Sequence, residues 1–174
     1  MSYGLAEAAF ELLKRAAARK ARRVGVSEVL DYGPVWNGLS QVLWLFPFAI
    51  ALVNWYSPPS PEERWIPVWI IVGFCALLLP LTLEVFQRKI ELTDQGISQK
   101  SAWSKPVKIA WKDVRDVAWK ISSEVEVQPK SGRSIRVNAW LSGMETFAEV
   151  LEKRLANLPS IPKVVNTIRA HLGR

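Results

Sequence analysis

Two long runs without a charged residue constrain this chain more than any other feature. The first, GLSQVLWLFPFAIALVNWY, covers 38–56, and the second, WIPVWIIVGFCALLLPLTL, covers 65–83. At about 1.5 Å of rise per residue, a helix of either length spans roughly 28 Å, close to the hydrocarbon thickness of a bilayer. Trp36 and Trp55 stand at the ends of the first run, and Trp65 and Trp69 open the second. Amphipathic indole rings favour that position, so these four are read as membrane-interface anchors. With a helix start read at Ser60, the loop between the helices is only a few residues, 57–60, which predicts a tight antiparallel hairpin with spans over 38–56 and 65–86. Ser60-Pro61-Glu62-Glu63 has the form of a helix start, with Ser60 as N-cap, Pro61 in the first helical position and Glu63 completing a capping box. Pro47 and Pro80 fall inside the spans, where each removes a backbone hydrogen bond and frees the carbonyl of Leu43 or Ala76. Burial of the same two helices in a soluble core is the competing explanation. Length, absence of charge and flanking tryptophan weigh against it.

The charge distribution orients the hairpin. Six Lys and Arg (Lys14, Arg15, Arg19, Lys20, Arg22, Arg23) precede the first run, and Arg88 and Lys89 follow the second. The loop between them has Arg64 against Glu62 and Glu63. Positive charge marks the cytoplasmic side, which puts both termini in the cytoplasm. Leu5, Ala9, Leu12, Leu13, Ala16 and Ala17 recur at helical spacing, predicting an amphipathic helix over 4–23 and a linker to Trp36. Such a helix can lie on anionic lipid or dock on its own protein or a partner. Glu84, near the cytoplasmic end of the second span, is a candidate functional carboxylate, although Arg88 one turn on is within its reach. Cys75, in mid-span, reads as an inert packing residue.

After Gln87 the period changes. Ile90 and Leu92 alternate with polar residues, Asp94-Gln95-Gly96 turns, and a second strand begins at Ile97. Val107, Ile109 and Trp111 alternate as a third strand, and Val117, Trp119 and Ile121 as a fourth. Val125 and Val127 lead through a Gly132 turn to Ile135 and Val137. Ser142-Gly143-Met144-Glu145 reads as a second capping box, opening a helix with Phe147, Val150, Leu151, Leu155 and Leu158 on one face. Beyond Pro159-Ser160-Ile161-Pro162, residues 163–172 predict a further amphipathic helix, whose Val164, Val165, Ile168 and Leu172 need cover from this chain or another.

The runs RKIELTDQGISQK, VKIAWKDVRDVAW, VEVQPKSGRSIRVNAW and SGMETFAEVLEKRL, in this order, resemble the bacterial pleckstrin-homology-like domains. The likeness covers roughly residues 40–158, because that family also places two transmembrane helices before such a domain. The resemblance implies an α+β membrane protein: an N-terminal amphipathic helix and linker (1–36), a two-helix hairpin (37–87), a PH-like antiparallel sheet or partial barrel with a capping helix (88–158) and an amphipathic tail (159–174). The 88–158 stretch is short for such a barrel, which leaves one or two strands unaccounted for and predicts an open sheet with a pairing edge.

Function follows from what the residue types permit. One histidine and one cysteine exclude a disulfide and a Cys/His zinc site, and leave His171 as the sole imidazole for any triad. No phosphate-binding loop or nucleophile elbow occurs, so catalytic residues, cofactors, metals and small-molecule substrates are not expected. Residues 87–174 hold 16 positive and 9 negative side chains, an excess equal to the +7 of the whole chain. Lys100, Lys105, Lys108, Lys112, Arg115 and Lys120 gather in one stretch and are read as a lipid-binding patch, each basic residue near the surface contributing about 1 kcal/mol towards anionic headgroups. The competing explanation is a solvated face. Trp111 and Trp119 fall on the apolar side of their strands, which argues against nucleic-acid stacking. The sequence therefore predicts a non-enzymatic scaffold or accessory subunit that docks onto other membrane-protein subunits, or self-associates. A respiratory or photosynthetic assembly would be one such host. A membrane-surface module reading anionic lipid headgroups through a basic sheet face is the alternative.

Overall fold

A computed structural model describes residues 3–25, 27–63 and 65–173, and is α+β with antiparallel sheets. In chain order the elements are α1 (Tyr3–Ala17), β1 (Arg22–Val24), β2 (Ser27–Leu30), α2 (Gly33–Tyr56), α3 (Trp65–Gln87), β3 (Lys89–Leu92), β4 (Gly96–Ser101), β5 (Ser104–Ala110), β6 (Val114–Lys120), β7 (Glu124–Pro129), β8 (Ile135–Asn138), α4 (Met144–Arg154) and α5 (Ile161–His171). The first helix is shorter than the predicted 4–23. In a longer helix Arg19, Lys20, Arg22 and Arg23 would stack at three- and four-residue spacing, where like charges repel. The chain turns at Gly25 instead, at φ +63°, and Arg22–Val24 becomes a strand. The expected apolar positions Leu5 and Ala9 lie outside the described side chains, and Arg64 outside the described residues.

The end of the expected helix and the expected linker together supply two strands. One sheet runs β1-β2-β3-β4-β5 and the other β6-β7-β8. In the first, Val29 pairs with Glu91 and Leu30 with Ile90, so two adjacent strands lie on either side of the whole apolar hairpin in sequence. The helices explain how. At 24 and 23 residues α2 and α3 are nearly equal in length, and an antiparallel pair of equal helices brings its outer ends together. The first sheet thus takes two of its five strands from in front of the hairpin. The new edge, β1, is short, exposed and carries Arg22 and Arg23, features that discourage further pairing.

The alternation read from the sequence describes the core well. Ile90, Leu92, Ile97, Ile109, Val117, Val125, Val127, Ile135 and Val137 are all buried. Ile121 differs, lying fully exposed just beyond β6, and so does Trp111: it lies in a 3₁₀ turn, Trp111–Asp113, which carries the chain from the first sheet to the second. Its indole N–H donates to the Thr93 carbonyl at 2.9 Å, locking that corner. Phe147 and Leu151 of α4 enter the core, as do Val164, Val165 and Ile168 of α5. The apolar face of the C-terminal helix is therefore covered by this chain itself.

Both expected capping boxes are corrected. Gly143 is the N-cap of α4 at φ +94°, and Ser142 makes no cap bond because its groups are used elsewhere. Residues 61–63 form a separate turn, in which the Ser60 hydroxyl meets the Glu63 carboxylate at 3.2 Å, and α3 starts only at Trp65. Pro67 accounts for the late start. A helix already running from Pro61 would set its ring against the Glu63 carbonyl, whereas in the first turn its missing N–H costs nothing.

α2 and α3 are long and apolar enough to cross a membrane. Their side chains are hardly buried at all, with Phe48, Leu52 and Leu77 each at least 60% exposed, so this chain by itself does not enclose them in a core. They touch through stacked Phe46 and Phe74, ring centroids 5.9 Å apart, and through a hydrogen bond from the Trp44 indole to the Thr82 hydroxyl at 2.9 Å.

Candidate functional site

Polar contacts concentrate where the apolar hairpin meets the sheets. A single residue, Arg88, separates the end of α3 from the start of β3. Its guanidinium donates to the Glu84 carboxylate at 3.0 Å and to the Arg136 carbonyl at 2.8 Å. The other oxygen of Glu84 accepts from the Ser101 hydroxyl at 3.1 Å. Glu84 thus finds the partner anticipated for it, and with Arg88 ties the last turn of α3 to the β4–β5 turn and to β8. Tyr32 lies beside this pair, and burial pushes its phenol above the ordinary value, with Arg88 pulling the other way.

The chain's entry into the hairpin is equally fixed. Asp31 accepts the Gly33 N–H on its carboxylate at 2.9 Å, and its carbonyl accepts from the Ser142 N–H at 2.7 Å. The Ser142 hydroxyl donates to the Ala16 carbonyl at 3.1 Å. Gly33 sits at φ +64°, and a Cβ there would lie 2.4 Å from the Ser142 Oγ. The helix then begins with Pro34, whose fixed φ suits a first turn. This start was legible as Gly-Pro five residues before the expected span. The partners Ser142, Ser101 and Arg136 had no local signal.

The basic residues singled out from the sequence do not share one surface. Lys100 pairs with Glu91 at 2.7 Å, which holds the Glu91 carboxyl below its usual range. Lys108 lies opposite Ser98 on the same face of the sheet as Lys100, and Lys105 lies where the β4–β5 register shifts. Lys112 and Arg115 line a separate cleft beside the 3₁₀ turn. Lys120 is held at 2.9 Å by Glu126. That glutamate is itself buried, and also accepts from Gln128 and Ser134, with the Arg136 guanidinium at 3.6 Å. The Lys120 ammonium, seconded by the Gln128 amide, lowers its pKa to about 2.

The tryptophans divide in a similar way. Trp55, Trp65 and Trp69 are well exposed at the loop end of the hairpin. Trp36 instead packs on Tyr32, ring centroids 5.9 Å apart, and lies partly buried against the core. Trp103 is exposed in the β4–β5 turn. His171 packs between Trp140 and Trp119, at centroid distances of 4.7 and 5.5 Å, and its burial lowers its pKa, aided by Lys14. Phe10 of α1 meets the other side of Trp140 at 5.3 Å, so the N-terminal helix docks on its own protein. Among the described residues no three His, Cys, Asp or Glu side chains come together as a metal site.

No protein-family model, curated protein or solved structure matches this chain. The physical arrangement must therefore carry the functional argument. What it offers is attachment. Glu84 and the two terminal guanidinium nitrogens of Arg88 are engaged with one another, with the Ser101 hydroxyl and with the Arg136 carbonyl, which ties the sheets to the hairpin.

Proposed function

We propose that this protein is a non-enzymatic, membrane-anchored scaffold or accessory subunit. In this reading the apolar hairpin spans a bacterial cytoplasmic membrane with both termini inside, and the two sheets with α4 form a PH-like cytoplasmic domain that docks onto a larger membrane-protein assembly. The observation that carries it is the junction: Arg88 alone links α3 to β3, and its guanidinium is fastened to Glu84 and to the Arg136 carbonyl. A domain joined by a flexible tether can search for soluble substrates. One fixed at the membrane surface presents the same face at the same height at all times, which suits a neighbour in the same membrane. Exposed Trp55, Trp65 and Trp69 at the loop end support the spanning reading, since indoles favour the far interface. The lipid-reading alternative loses ground, because it needs Lys100 to Lys120 on one face and they lie on several.

Purification from native membranes in mild detergent, followed by mass spectrometry, tests the scaffold reading. Companion subunits in fixed stoichiometry are expected. A chain that runs alone or only with copies of itself overturns the docking reading. Cysteines placed singly at Ser57 and Ser2, in a Cys75→Ser background, test the topology: an impermeant maleimide added to intact cells should label the first and spare the second.

A further inference from the structure

A cavity of about 910 Å³ lies at the far end of β4 and β5 from the hairpin junction. Ser101, which holds Glu84, closes one end of β4, and the Asp94–Gln95 turn that lines the cavity precedes the other. The six residues of β4 put about 20 Å between them, more than twice the screening length of roughly 8 Å at physiological salt. The charge of this cleft is therefore poorly placed to read the headgroups around the hairpin.

Four cations line it, Lys112, Arg115, Lys130 and Arg154, against the single acid Asp94. Two are committed: Lys130 donates to the Lys112 carbonyl at 2.8 Å, and Arg154 holds the Asp94 carboxylate. The chain thus already seats one of its own carboxylates on this rim. Lys112 and Arg115 are exposed and make no ion pair among the described residues. Between the cations, half-buried Leu158 and the edges of buried Val114, Leu155 and the Trp111 ring, whose only donor is spent on Thr93, give an apolar strip beside the Gln95 and Asn157 amides. A bare phosphate group has no use for that apolar strip.

We infer that this cleft binds an acidic segment of a partner protein, one whose carboxylates alternate with apolar side chains. Lys112 and Arg115 take the carboxylates, and half-buried Leu158 takes an apolar side chain. This rests on the scaffold reading and gives the partner its chemistry. It also accounts for Lys112 and Arg115, which the sequence grouped with the lipid-facing lysines.

The test uses the full chain in detergent and a fluorescent peptide of glutamates interrupted by leucines, with the glutamine counterpart as control. Fluorescence anisotropy should show binding of the acidic peptide, weakening as salt rises, and a loss of about tenfold or more in Lys112→Glu/Arg115→Glu. The milder Lys112→Ala/Arg115→Ala variant should also lose affinity, while Lys100→Glu/Lys108→Glu, on the other face, should not. Equal binding by the wild type and both cleft variants overturns the inference, and so does equal binding of the glutamine peptide. Vesicles rich in phosphatidylserine that bind through Lys112 and Arg115, where the acidic peptide does not, would reassign the cleft to lipid. The two readings fail separately. If companions still co-purify with Lys112→Glu/Arg115→Glu, the cleft is not the contact but the scaffold survives; if the wild type has no companions, the scaffold falls whatever the peptide does.

Discussion

The Ser142 hydroxyl donates to the Ala16 carbonyl at 3.1 Å, joining residues 126 positions apart. The same oxygen stands where a side chain on Gly33 would have to go. Ser142 therefore gathers the end of α1, the start of α2 and the approach to α4 at one point.

Gly33→Ala is expected to destabilise the protein through two separable effects. The left-handed backbone at φ +64° costs a side-chain-bearing residue about 1–2 kcal/mol, and overlap with Ser142 adds a comparable amount. Gly33→Ala/Ser142→Gly removes the overlap and keeps the backbone penalty, although the bond to Ala16 goes with it. Thermal midpoints of the two single variants and the double variant, in one detergent, separate the contributions. A double variant no better than the sum of the singles would show that the overlap is absent.

Arg88→Met strands the Glu84 carboxylate at the junction. A loss of about 3 kcal/mol is expected, because breaking one side of a poorly solvated pair leaves the other charge uncompensated. Glu84→Gln/Arg88→Met should recover part of it. Limited proteolysis between α3 and β3 reads the same event, with faster cleavage in the single variant than in the double.

Glu126 makes stability depend on acidity. Its pKa is about 2 in the folded chain and near the ordinary carboxylate value when unfolded, so its contribution is complete above about pH 4.5 and is lost as pH falls towards 2. The linked free energy is at most roughly 3 kcal/mol. Glu126→Gln should lower the melting temperature at pH 7 and differ much less from the wild type at pH 2–3. An equal deficit at both pH values would assign the effect to packing.

Thr82→Val removes the acceptor of the Trp44 indole, the described side-chain hydrogen bond between α2 and α3. Bonds of this kind between helices in lipid contribute about 0.6 kcal/mol, and at most about 1.7. A small fall in the unfolding midpoint in nanodiscs is expected, largely shared by Trp44→Phe. Additive losses in the double variant would show that the two groups do not interact.

Residues whose behaviour depends on near neighbours were readable from the sequence. The charge-free runs around Leu43 and Ala76 settle that two long apolar helices form, since length and composition are local properties. The alternation of Ile90 with Leu92 and of Val125 with Val127 states which face of each strand is inward. Neither says what lies opposite. Arg22 to Leu30 looked like a helix end and a linker because strands this short, with most residues polar, carry little periodic signal. Ser142 looked like a cap because its neighbours have the spacing of a capping box, and only the fold shows its hydroxyl turned towards Ala16.

The sequence alone thus determined an apolar hairpin of two matched helices, a run of half-buried strands and the apolar faces of α4 and α5, all set by periods of a few residues. The tertiary structure decided that β2 pairs with β3 across the hairpin, that Glu84 and Arg88 lock the sheets onto it, and that the six basic residues disperse. The reason is physical. Periodicity reports which side of an element avoids water, whereas pairing depends on which ends are brought together in space. Here two helices of nearly equal length bring together residues 33 and 87.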